Sequence, residues 1–159
     1  MGASPAATGQ MTLHHLVNTA QLGEHGLLVE LVGGDVVIAD VTHDSRQVRA
    51  GALFCCVDGM QVNGHEFAQQ AVDAGASALL VDHALSIDVP QVVVTDVRHA
   101  MGHVAAALYN SPSSRMHVVG VTGTNGKTTT AHLLAEILRA HGWKTEVIGT
   151  LTGARTTPE

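Results

Sequence analysis

Apolar residues along the chain fall into short blocks and longer periodic stretches. The blocks Leu27 to Val32, Val36 to Val41, Leu53 to Val57, Ala78 to Val81 and Val92 to Thr95 have strand length and are punctuated by Gly, Asp and Pro. Gly33-Gly34 joins the first two. Between the others lie helical stretches: a short one over Met11 to Leu22, His65 to Ala74 with Gly75 as its C-terminal cap, and Val97 to Asn110. Ser111-Pro112-Ser113-Ser114 interrupts the alternation and marks a domain boundary. Beyond it come the apolar strand Val118 to Val121, a glycine-rich turn, a helix with Leu133, Leu134, Ile137 and Leu138 on one face, and the strand Thr145 to Ile148. The pattern predicts an α/β protein whose last elements form a βαβ unit with a right-handed parallel crossover. The domain plan is a disordered lead over 1–10, a first domain over 11–110, a linker over 111–116, and the start of a second domain over 117–159.

The turn after the strand carries the chemistry. In Gly123-Thr124-Asn125-Gly126-Lys127-Thr128-Thr129, two glycines allow backbone angles closed to other residues, so that successive N–H groups can point at one anion. The helix that follows directs its positive N-terminal end at the same point. Lys127 has the reach for the β- and γ-phosphates of a nucleotide, and the Thr128 hydroxyl suits Mg²⁺. The general pattern G-x-x-x-x-G-K-[ST] is not met strictly, because Val121 stands at its first position.

The string Thr122 to Thr129 resembles the ATP loop of the Mur ligases, the enzymes that add amino acids to the peptidoglycan precursor, and within them the MurE type. A second match lies upstream: Thr42-His43-Asp44-Ser45-Arg46, then Gly51-Ala52-Leu53-Phe54, then Gly59 to His65, similar to the family's UDP-binding N-terminal domain. A third, Gly149-Thr150 followed by Thr156-Thr157-Pro158-Glu159, is similar to the segment that contacts the muramoyl group and the catalytic magnesium. The resemblance covers about residues 40 to 159. It implies a Mur ligase N-terminal UDP-binding domain followed by the first βαβ unit of a P-loop ATPase domain, incomplete in this chain. It also implies UDP contacts at His43 and Ser45, a substrate loop at Met60, Gln61 and Val62, and ATP contacts from Gly123, Thr124, Asn125, Gly126, Lys127, Thr128 and Thr129. Lys127 takes the catalytic role, Thr128 and Glu159 the metal. Thr156 and Thr157 match the threonine pair that holds the UDP-muramoyl substrate, and Arg155 stands where an asparagine is often found. Two hydroxyls before a proline suit sugar or phosphate oxygens, although such a segment standing alone also reads as an ordinary polar turn.

The implied reaction is an ATP-dependent amide synthesis. ATP phosphorylates the D-glutamate carboxylate of UDP-N-acetylmuramoyl-L-alanyl-D-glutamate, and a diamino acid displaces the phosphate. ATP and Mg²⁺ are the expected co-substrate and cofactor, and the UDP-MurNAc-dipeptide the expected partner. With residues 117–159 too few for a nucleotide-binding sheet covered on both faces, the chain on its own is expected to be inactive. Two other readings stay open: a non-catalytic UDP-sugar-binding module, and another ligase of the superfamily, MurF-type or folylpolyglutamate synthetase-like. The Asp-Ser-Arg match disfavours the folate reading, and Thr124-Asn125 favours MurE over MurF.

Composition narrows the classes further. The formal charge of −6, with only eight Lys and Arg residues, argues against a nucleic-acid partner; Arg46, Lys127 and Arg155 fall inside the matched segments instead. No apolar run reaches membrane-spanning length, and Met1 to Gln10 lacks the basic and apolar regions of a secretory signal. A cytoplasmic monomer is expected, with adjacent Cys55 and Cys56 as reduced thiols in a core strand. Eleven histidines raise the question of a metal. His99 and His103 are spaced to share a helix face, but no third ligand stands beside them in sequence.

Overall fold

In the computed structural model, which describes residues 11–59 and 63–149, the apolar blocks between Leu27 and Thr95 supply the strands of a five-stranded sheet and part of a two-stranded one. The strands are β1 Met11–Thr12, β2 Leu28–Val32, β3 Val37–Ile38, β4 Asp40–Thr42, β5 Ala52–Cys55, β6 Ala76–Val81 and β7 Gln91–Val94. The helices are α1 Leu13–Thr19, α2 Ala68–Asp73, α3 Val97–Leu108 and α4 Lys127–Ala140. The main sheet has the order β2-β7-β6-β5-β4. Strands β4, β5, β6 and β7 run parallel, and β2 closes one edge antiparallel to β7.

Alternation along the strands sends neighbouring residues to opposite faces, and here both faces are covered. Leu53, Cys55, Ala78, Leu80, Val92 and Val94 face α1 and α3, meeting Leu13, Leu16, Val97, Ala100 and Val104. Phe54, Cys56, Leu79, Val81 and Val93 face the other way and meet Ala68 and Ala71 of α2. Strands buried twice over have no polar face to show, so they read as continuous apolar runs rather than as alternating ones. Gln91 is the exception: its side-chain amide is fully engaged with Leu85 N, Leu85 O and Ile87 O at 2.8, 2.8 and 3.2 Å, which offsets the cost of its burial.

Several predicted boundaries shift for local reasons. The predicted strand Val36 to Val41 divides, β3 pairing with β1 and β4 with β5. The predicted helix Met11 to Leu22 begins only at Leu13, where the Thr12 hydroxyl accepts from His15 N. The predicted helix His65 to Ala74 opens as a 3₁₀ turn, Gly64–Phe67, before α2. Helix α3 starts under the Asp96 cap and ends in left-handed Asn110 and Ser111, the latter barred from continuing a helix by Pro112.

The chain divides into two units, Met1–Met116 and His117–Glu159. In the second, α4 forms as expected, but residues 118–121 and 145–148 carry no strand structure. Among the described residues the predicted βαβ unit and its crossover are thus not formed, and the unit that holds α4 contains no strand. Leu133 and Ile137 are exposed, contrary to the buried face read from their spacing, while Leu134 and Leu138 are half-buried. The physical reason is that an isolated pair of strands is only marginally stable in water without further strands or a packed core, and β1 with β3 has such a core beneath it.

Candidate functional site

In the second unit the glycine-rich turn delivers the geometry its residue types call for. Gly126 sits at φ +77° as the N-cap of α4, and Gly123 at φ +148°, both outside the range comfortable for a side chain. No side chain caps the helix, so its first-turn N–H groups are left for a ligand. Lys127 curls back over the turn, its ammonium donating to Gly123 O and, at 3.3 Å, to Thr124 O. An exposed cation held only by carbonyls of its own loop is poised for a stronger, charged acceptor. Lys127 and Thr128 line a cleft of about 280 Å³ together with His117, His132, Leu134, Leu138 and Glu146. His132 and Glu146 were not singled out from sequence, because nothing in their neighbourhood marks them before the chain folds.

In the first unit the turns leaving the parallel strands gather at one edge. His43 and Ser45 follow β4, Cys56 to Gly59 follow β5, and Asp82 and His83 follow β6. That carboxyl edge is where open α/β sheets bind ligands. His43 is exposed and Ser45 half-buried. Asp44, between them, organises the turn. Its carboxylate accepts from Arg46 N, Nε and Nη2 at 3.0, 2.9 and 2.8 Å and from Gln47 Nε2 at 3.0 Å. The Arg46 hydrogen bonds hold the Asp44 carboxyl well below the usual carboxylate range. Arg46 is thereby committed to shaping the loop, although the sequence counted it among the cations available to an anionic ligand. Met60, Gln61, Val62, Arg155, Thr156, Thr157 and Glu159 lie outside the described residues.

Cys55 and Cys56 are buried free thiols. Burial, followed by the nearby Asp82 and Asp58 carboxylates, pushes Cys56 up to about 12, so it stays protonated and unreactive. His99 and His103 do meet, with Nε2 atoms 3.4 Å apart, and the His25 ring stands 4.2 Å from that of His103. No carboxylate or thiol joins this trio in a metal-binding group among the described residues. The sequence reading looked there and passed over a tighter cluster, His65, Asp82 and His83, which is far apart in the chain. Among the described residues no helix is long and apolar enough to cross a membrane.

A family model described as "Mur ligase family, catalytic domain" matches residues 37–141. The UDP-N-acetylmuramoyl-L-alanyl-D-glutamate--2,6-diaminopimelate ligase of Geobacillus thermodenitrificans (strain NG80-2) is 50% identical over 119 residues, which make up 75% of this chain and 24% of that protein. Among solved structures, MurF from Acinetobacter baumannii superimposes with a TM-score of 0.65 at 26% identity, covering 86% of this chain and 29% of that one. The MurF ligase of Thermotoga maritima, in complex with ADP, does so with a TM-score of 0.52 at 29% identity, covering 64% and 23%. The chain spans about a quarter of the length of the curated relatives it matches.

Proposed function

The chain belongs to the Mur ligase family, and from that premise we propose that it serves the ATP-dependent ligation of 2,6-diaminopimelate to UDP-N-acetylmuramoyl-L-alanyl-D-glutamate, the reaction named for its relatives. The setting is the cytoplasmic assembly of peptidoglycan precursors. The first unit holds the UDP end of the substrate at the carboxyl edge of its sheet, through His43 and Ser45 and the turn that follows β5. The second unit holds ATP at Gly123 to Thr129, in a P-loop ATPase arrangement whose strands need the rest of a larger sheet to pair.

The observation that carries this reading is the uncapped N-terminus of α4 with Lys127 folded over its own loop carbonyls. Binding a triphosphate exchanges those neutral acceptors for charged ones, which strengthens each hydrogen bond. The ammonium then offsets charge moving onto the leaving oxygens as the D-glutamate carboxylate is phosphorylated, and positioning supplies most of the remainder. The residue types suit Mg²⁺: Thr128 and Glu146 are both among the residues lining the cleft with Lys127, and this ion prefers the oxygen ligands that a hydroxyl and a carboxylate offer. When bound it would neutralise phosphate charge. The alternative of a MurF-type ligase draws on the structural likeness to MurF, but 26% identity there stands against 50% to the diaminopimelate ligase.

Titration with ATP and Mg²⁺ tests the loop assignment. Lys127→Ala removes a charge-assisted hydrogen bond of about 1.5–3 kcal/mol and is expected to weaken ATP roughly 10- to 100-fold. UDP-substrate affinity is expected to stay unchanged. Equal ATP affinity in the variant would overturn the role given to Lys127.

A further inference from the structure

Three donor atoms from two turns converge at the carboxyl edge of the first unit, on chemistry that the ligase reading leaves unused. His65 lies in the 3₁₀ turn that leads into α2, and Asp82 and His83 directly follow β6. The facing ring nitrogens and the carboxylate oxygen all lie within 4.8 Å of one another. His65 Nε2 is 3.1 Å from Asp82 Oδ1, His83 Nδ1 contacts that same oxygen, and the two imidazole rings stack with centroids 4.7 Å apart.

The tautomer of His65 follows from its neighbour. Asn63 Oδ1 accepts from the backbone N–H of His65 at 2.8 Å, which identifies that atom as the amide oxygen. The same oxygen lies 2.8 Å from His65 Nδ1, so Nδ1 carries the proton and donates. In the neutral ring Nε2 therefore presents a lone pair. That atom is buried without a hydrogen-bond partner, in a side chain only 8% exposed. Asp82 Oδ1, although close, is out of line for a hydrogen bond. A buried lone pair with no proton donor beside it is left unsatisfied, and a cation bound next to it would satisfy it.

We propose that His65, Asp82 and His83 form a binding site for a divalent transition-metal ion, with Zn²⁺ as the best-suited occupant. Two ligands about 2.0–2.1 Å from a tetrahedral ion sit roughly 3.3 Å apart, close to the His65 Nε2 to Asp82 Oδ1 separation, whereas His83 Nδ1 is hydrogen-bonded to that oxygen and would exchange this bond for the ion with a small shift of its exposed ring. Two imidazoles and one carboxylate form a borderline donor set that prefers zinc to magnesium or calcium. The Nδ1–H to Asn63 bond is the outer contact that orients a metal-bound histidine. Three protein ligands leave a fourth position open to water. The ion would clip the turn after β5 to the turn after β6, at the edge that carries His43 and Ser45.

The test is calorimetric titration of the whole chain with Zn²⁺ alone, repeated with Co²⁺ while recording visible absorption. One equivalent of Zn²⁺ is expected, with a tetrahedral cobalt spectrum lacking thiolate charge transfer. Asp82→Asn and His83→Ala are each expected to weaken Zn²⁺ by tenfold or more. The His83 side chain is 64% exposed and that of Asp82 39%, and an unchanged melting temperature without metal verifies that the variants fold. His99→Gln is expected to bind as the parent does. Absence of binding, equal binding by the Asp82 and His83 variants, loss of binding in His99→Gln, or a thiolate band in the cobalt spectrum of the unaltered chain would each overturn the site.

Discussion

Gly64 passes so close to the end of β5 that a Cβ there would lie 2.6 Å from both Val57 N and Val57 O. Backbone cannot swing aside as a long side chain can, so the turn must move. Gly64→Ala is expected to cost about 1–3 kcal/mol, read as a lower urea midpoint at unchanged slope. The residue also sets the position of its neighbour His65, and with it the histidine and carboxylate cluster. At this scale the sequence was a partial guide. The resemblance picked out Ser45 and the segment Gly59 to His65, and residue type marked Lys127 and Thr128. The sequence had no means of showing that Arg46 is spent on Asp44, or that Asp82 and His83 come back to meet His65, because those contacts depend on which turns share a sheet edge.

Elements were legible where burial on both sides leaves an unbroken apolar run or where a cap is written in the chain. Helix α3 illustrates this, with Asp96 accepting from His99 N at 2.9 Å at its start and Asn110-Ser111-Pro112 at its end. Helix α4 began where Gly126-Lys127 predicted, yet its apolar stripe was misread, since spacing says which residues share a face and not whether anything covers it. Helix α3 also carries a testable titration. Partial desolvation, then the neighbouring His25 and His99, lower the His103 pKa. An unfolded histidine protonates near pH 6.5, whereas folded His103 does so only at lower pH. As pH falls through 6.5 the unfolded chain therefore binds more protons, and the native state loses stability. Melting temperature is expected to fall between pH 7.5 and 5, and to fall less steeply in His103→Gln.

At the scale of the whole molecule, both core clusters are built from buried residues between Leu13 and Leu108. The first unit thus holds a core of its own. A chain ending at Met116 is expected to melt cooperatively by circular dichroism and to show no ATP binding; a non-cooperative melt would show that its core depends on the second unit. What could be read before folding was whatever is local in the chain: the apolar blocks that became β2 and β4 to β7, the caps and breakers around α3, and the glycine turn with Lys127. These depend on side-chain size, backbone freedom and charge within a few residues. What waited for the tertiary structure was the order β2-β7-β6-β5-β4, the split of one predicted strand between two sheets, the missing ladder around α4, and the meeting of His65 with Asp82 and His83. Each of these is decided by pairing between segments far apart in sequence, where the favourable outcome depends on which partners are present to satisfy backbone hydrogen bonds and exclude water.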